Sequence, residues 1–175
     1  MRPYIFALAL VLAAAPVAAA ETATPQPSVA DIGFLVGTWG SGQGKVAETG
    51  GSSRGTSKIT LEAGGSTLLR RDHTELFGAD GKAGGSFDQI MLIYPEGGTL
   101  HADYSDGDHI IHYTSAVVVA GKSVSFTSSS PPGAPTFRLT YELTSPDTLT
   151  VRFETEPPGQ TAFQPIASGT LRKMP

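Results

Sequence analysis

The chain has no cysteine, one tryptophan and four histidines among 175 residues, and only 16% of its residues are charged. Without cysteine there is no disulfide, no lipid attached through a cysteine and no zinc site of the Cys/His type. The folded part must therefore be held together by its core alone. Lys and Arg are scattered and the formal net charge is −4, which leaves no basic stripe for a nucleic-acid backbone. No Ser-His-Asp, HExxH, P-loop or paired-carboxylate arrangement stands out. "DGDH" (Asp106 to His109) is too short for an EF-hand and suits a hairpin turn. "GGSSRG" is glycine-rich but enters no helix, so it makes no phosphate cradle.

Long apolar runs are absent except at the start. Residues 1–20, "MRPYIFALALVLAAAPVAAA", combine a positive Arg2, an apolar stretch and a small-residue cleavage site ending at Ala20. That pattern predicts a secretory signal peptide and a periplasmic or secreted protein, with no membrane span once the signal is removed. Residues 21–28, "ETATPQPS", read as a disordered Pro/Thr linker. Residues 29–175 are the right length for one domain.

From residue 36 onward alternating apolar and polar residues are broken by Gly, Pro and Asp turns at short intervals. About ten such runs predict an all-β chain, preceded by one short helical turn in "VADIGFLVG". Around Ser145-Pro146-Asp147, Leu143 falls opposite Leu149, Tyr141 opposite Val151 and Leu139 opposite Phe153. On the other face Arg138 meets Glu154, so one register satisfies both faces. A two-residue turn at Asp106-Gly107 would pair Tyr104 with His109 and His101 with His112. Turns after alternate strands are short ("AGGS", "PEGG", "AG", "SPD"), and most of the others are longer. One end is then closed and the other ringed by loops, as in a single antiparallel up-and-down β-barrel of about ten strands. Such a cylinder can enclose a small ligand.

Gly37-Thr38-Trp39 follows the short helical segment at the expected closed end, and the last strand returns Arg172 toward it. On these residues the chain resembles the calycin superfamily: lipocalins, fatty-acid-binding proteins and nitrobindin-like barrels. It is also similar to small exported bacterial lipocalin-like domains beginning "FLxGxW", here Phe34 to Trp39. The resemblance implies Trp39 as a floor plug beneath an Arg172 cation–π contact, and a ligand cavity above. Nitrobindin-like proteins hold haem through a late histidine, and none follows His112, so no cofactor is expected.

The same facing assignment puts Ile59, Leu61, Leu68, Met91, Ile93, Val117, Val124, Phe126 and Leu149 inside. The polar residues expected among them are Arg70, Asp72, Gln89, Tyr104, His109, Tyr113 and Tyr141. These are the candidate ligand-binding residues, with Arg70 receiving a carboxylate or else forming an internal pair with Asp72. The leading expectation is a barrel that binds a small apolar or amphipathic molecule without catalysis. One alternative is an isomerase or hydrolase using His109, or a metal held by His101, His112 and Asp103. Another is an interaction module with a filled core. An outer band of Ile90, Leu92, Tyr94, Ile110 and Val118 would suit a homodimer.

Overall fold

The computed structural model of the protein describes residues 26–41 and 44–175. The expected signal peptide, and the expected linker as far as residue 25, lie outside the described residues. Among the described residues the strands are β1 (Gly37–Ser41), β2 (Gly44–Val46), β3 (Gly51–Glu62), β4 (Thr67–Phe77), β5 (Ala83–Glu96) and β6 (Thr99–Ser105). They continue with β7 (Ile110–Val119), β8 (Ser123–Ser128), β9 (Thr136–Ser145), β10 (Thr148–Glu156) and β11 (Gln164–Lys173). From β2 onward each pairs antiparallel with the next in the chain. β1 and β2 both bridge β3 and β11, so the sheet closes on itself. β1 and β2 are two pieces of one first strand, and the result is a ten-strand barrel with one extra segment. Closure removes the exposed sheet edges that an open meander of this length would present.

The closed end is built from sequence-local pieces. A 3-10 helix over Val29–Leu35 turns Val29, Ile32 and Leu35 into the core. Its start is fixed by Ser28, whose backbone N–H and hydroxyl both donate to Asp31 Oδ2, at 2.8 and 2.9 Å. The Gly121 N–H donates to the Asp31 carbonyl at 2.7 Å, tying the β7–β8 turn to this helix. Trp39 is fully buried, and its indole N–H donates to the Leu35 carbonyl at 2.8 Å. That bond lets a bulky ring with a polar edge seal an apolar floor without an orphaned donor. Gly37 sits at φ +140°, where a Cβ would press within 3.1 Å of Lys173 Cε. The smallest residue therefore stands beside the largest, because the last strand crosses there.

The cation over the indole is Lys173, not Arg172: Lys173 Nζ lies 5.5 Å from the ring centroid. The register explains the correction. Trp39 pairs with Lys173, so those two share a face, while Arg172 pairs with Gly40 and points away. The Arg172 guanidinium instead bonds Thr148 Oγ1 and stands 3.6 Å from Asp147 Oδ1.

The β9–β10 hairpin has the expected register at each of these pairs, including Arg138 on Glu154 at 2.8 Å. Two other registers depart from expectation. The β6–β7 turn is wider than two residues, because Asp106 Oδ1 accepts the N–H groups of Asp108 and His109 at 3.1 and 2.7 Å. Tyr104 therefore pairs with Ile111, and Asp103 with His112. Next, the β7–β8 register shifts between Tyr113 and Ser115. A bulge of one residue flips the faces beyond it, so Ala116 and Val118 pack on the core while Val117 is 74% exposed. Leu61 keeps the inward parity but lies at the end of β3 beside the Ala63–Gly65 turn, and is half exposed.

Candidate functional site

Eight strands make a barrel that side chains just fill; ten make one too wide to fill everywhere. The closed half is packed solid by Ile59, Leu68, Met91, Ile93, Leu100, Phe126 and Leu149, all buried. In the half nearer the loops, β2, β3 and β11 line the interior largely with small residues, Gly44, Ser53, Gly55, Ser57, Ala167 and Gly169, with Val46 and Ile166 the larger exceptions. Gly55 has no room for a side chain, since a Cβ would stand 1.9 Å from the His73 carbonyl oxygen. These small residues leave a cavity of about 390 Å³. Leu76, Phe87, Val151, Phe153, Ile166 and Leu171 supply its apolar lining. Phe153 is held by stacking on Phe137, with centroids 5.7 Å apart.

The wall is notched on one side. β5 pairs with β6 only from Ile90 onward, so residues 83–89 run past the end of β6 beside the Asp106 turn. Asp72, Phe87, Gln89 and Asp106 line both the cavity and the groove at this notch.

At the bottom of the cavity lies a cluster built on Arg70, which is buried. Its Nε donates to Asp72 Oδ2 at 2.7 Å and its Nη2 to Gln89 Oε1 at 3.3 Å. Its Nη1 donates to the Tyr141 hydroxyl, and Nη2 also pairs with Asp72 Oδ2. Tyr104 donates to Asp106 Oδ2 at 3.2 Å. Among the described residues, Asp72 Oδ1 is the buried side-chain polar atom that has no hydrogen-bond partner.

The electrostatics follow from burial. Burial opposes the charge on Arg70, but Tyr141 and Asp72 outweigh it and raise its pKa, so the guanidinium stays protonated. Burial, reinforced by Asp72, pushes the Tyr141 phenol up to about 12 against the opposing pull of Arg70. Burial also raises the phenols of Tyr104 and Tyr113, with Asp106 and Tyr141 respectively adding to the effect. For Asp106, burial acts upward. The donors from the His109 backbone and ring, from Tyr104 and from Asp108 prevail and hold the carboxyl below its usual range.

Of the seven candidate residues, the structure gathers Arg70, Asp72, Gln89, Tyr104 and Tyr141 at the cavity. Tyr113 is buried close enough to the cluster for its phenol to feel Tyr141, Arg70 and Tyr104. His109 does not join them: it belongs to the turn, its side chain is 74% exposed, and Asp106 holds its ring at 3.3 Å. The expected facing pair of His101 and His112 is likewise absent. His112 Nδ1 meets Asp103 Oδ1 at 2.6 Å, whereas His101 lies against Tyr94 and 3.3 Å from Glu96. The wider turn moved the register by two, which separated the histidines without changing their face. Among the described residues no group of three or more His, Asp or Glu is gathered as a metal site requires.

Sequence reading missed Asp106, Ile166, Leu171 and the small-residue wall. The signal for the wall was present in "GSSRGTS" and "ASG", whose alternate positions bear little or no side chain. On the outside, Ile90, Leu92 and Ile110 are exposed as expected, and Val117 and Val119 replace Val118 in that band. No helix among the described residues is long and apolar enough to cross a membrane.

No protein-family description matches the chain, and no curated protein matches it. Among solved structures the chain is similar to a protein of unknown function from the DUF3598 family of Nostoc punctiforme PCC 73102. The two are 9% identical, with a TM-score of 0.32, over 85% of this chain and 100% of that one.

Proposed function

We propose that the protein is an exported barrel, periplasmic or secreted, that holds a small apolar or amphipathic molecule in its interior and performs no chemistry on it. The observation that carries this reading is the cavity of about 390 Å³, greasy on most sides with a buried polar cluster at one point. A concave apolar pocket with a few convergent polar groups is the usual form of a small-molecule site. A cavity of about 150 Å³ accepts one benzene ring, so this one suits a ligand of roughly fifteen non-hydrogen atoms. The likeness of Gly37-Thr38-Trp39 and the barrel layout to calycins supports the same function. His101, His109 and His112, the histidines considered for acid–base work, all stand outside the cavity lining. His73 reaches the lining, but its ring is half exposed and engaged by Asp88 at 2.8 Å. That disposition favours binding over catalysis. The cavity also argues against a barrel that acts only through its outer surface.

The test is titration with Nile red, a neutral dye that brightens in apolar surroundings. The wild-type protein should show saturable emission. Ala167→Trp, which drives an indole into the cavity from the small-residue wall, should abolish it while leaving the fold intact by circular dichroism. Undiminished emission in that variant would place the dye elsewhere and remove this reading.

A further inference from the structure

Resting on that reading, we infer that the ligand's head group is an uncharged hydrogen-bond donor, such as an alcohol, and not a carboxylate. Among the described residues the one cation buried in the cavity lining is Arg70, and its N–H groups already meet Asp72, Tyr141, Gln89 and the Met91 sulfur. A carboxylate arriving at Arg70 would have to displace one of these partners and would stand beside the Asp72 carboxylate, which is part of the wall. It would also face a second lining carboxylate, Asp106, which is ionised at neutral pH. Within this low-dielectric space an added anion meets one cation and two anions, and like charges disfavour it strongly. Arg54, the other lining arginine, is mostly exposed and already paired with Glu75 at 2.5 Å.

The atom left over in the cluster is an acceptor. Gln89 Oε1 and the Tyr141 hydroxyl oxygen both accept from Arg70, and Asp72 Oδ2 accepts twice. Asp72 Oδ1 has no donor, although a buried ionised oxygen without a partner is costly. That oxygen is sheltered from solvent. Asp72 lines the cavity, and the torsion that carries its two oxygens is soft. A ligand hydroxyl would satisfy it, with the ligand's chain lying along Phe87, Val151, Phe153 and Leu171. An ether of the same shape would leave it unsatisfied.

Calorimetric titration of the purified protein with decanol, decyl methyl ether and decanoate at neutral pH tests this. Decanol should bind at least about tenfold more tightly than either of the others, the usual cost of leaving one buried polar group unpaired. Asp72→Asn frees Arg70 from its counter-charge and should shift the preference toward decanoate by a further factor of about ten. Equal binding of the ether and the alcohol, tighter binding of decanoate in the wild type, or an unchanged preference in a folded Asp72→Asn variant would each overturn the inference. Those outcomes leave the barrel as a binding protein. Failure of all three compounds together with Nile red would remove the underlying function as well. If Asp72→Asn does not fold, the wild-type series decides alone.

Discussion

Replacing Arg70 by methionine, alone and together with Asp72→Leu, separates a structural role for the buried ion pair from a functional one. The single change removes every donor from Asp72 Oδ2 and leaves a carboxylate whose side chain is 11% exposed with no cation beside it. Breaking a buried pair in this way costs about 3–5 kcal/mol. The double change removes both charges and their desolvation cost together. What remains is the Tyr141 hydroxyl and the Gln89 amide without Arg70, a cost of about 1–2 kcal/mol, offset by two apolar side chains in a greasy lining. The double variant should therefore be within about 1–2 kcal/mol of the wild type, and more stable than the single variant by roughly 2–3 kcal/mol. Urea unfolding followed by circular dichroism reads this directly. With a slope of about 2 kcal/mol per molar urea, the single variant's midpoint falls by roughly 1.5–2.5 M. The double variant should also lose discrimination between decanol and its ether. If the two variants are equally destabilised, the pair is a stability element and its retention says nothing about a ligand.

Four further outcomes follow from the same geometry. Trp39→Phe removes the bond to the Leu35 carbonyl and opens the floor, and should lower stability by about 2–4 kcal/mol in urea unfolding; a neutral result would show the plug to be dispensable. The Tyr141 phenol, ordinarily near 10, is held protonated to about 12 in the fold, so its stabilising contribution is complete below pH 10 and is lost as pH rises toward 12. The stability advantage of wild type over Tyr141→Phe should shrink by about 2–3 kcal/mol across that window, and parallel pH profiles would contradict it. Expression in a bacterial host should yield a periplasmic protein whose intact mass corresponds to a chain starting at Glu21; retention of residues 1–20 in the soluble product would refute the signal assignment. The outer band of Ile90, Leu92, Ile110, Val117 and Val119 should drive concentration-dependent dimerisation in sedimentation velocity, and a monomer at every concentration would reject a homodimer.

The parts of this fold that were legible in the sequence share one property: parity. Strand alternation has a period of two, so an error of two residues in a turn leaves every side chain on its correct face. That is why Tyr104 and Tyr113 point inward as read, although Asp106 widens their turn. Pairing is less forgiving. The same two-residue error placed His101 opposite His112, and any inference from two specific residues meeting across strands fell with it. The bulge at Thr114 is an error of one, so it reversed Val117 and Val118 outright. Nothing in "HYTSAVVVA" marks where the extra residue goes, because bulges are chosen by sheet curvature. The β9–β10 hairpin escaped both hazards, since its charged face and its apolar face each fix the same register. Arg172 was misplaced for a related reason: in a strand that crosses the floor, a shift of one decides which of two neighbouring cations covers the indole.

The overhang of β5 past the end of β6 makes the cavity's side opening a property of main chain. Along residues 83–89 the amides that face away from β4 have no strand to bond among the described residues, and no side-chain substitution supplies one. Deuterium should therefore enter there first, well ahead of the closed end, and a bound molecule that fills the notch should slow that uptake without altering it elsewhere. The doorway can be followed by its own amide protons, with no label and no change to the chain.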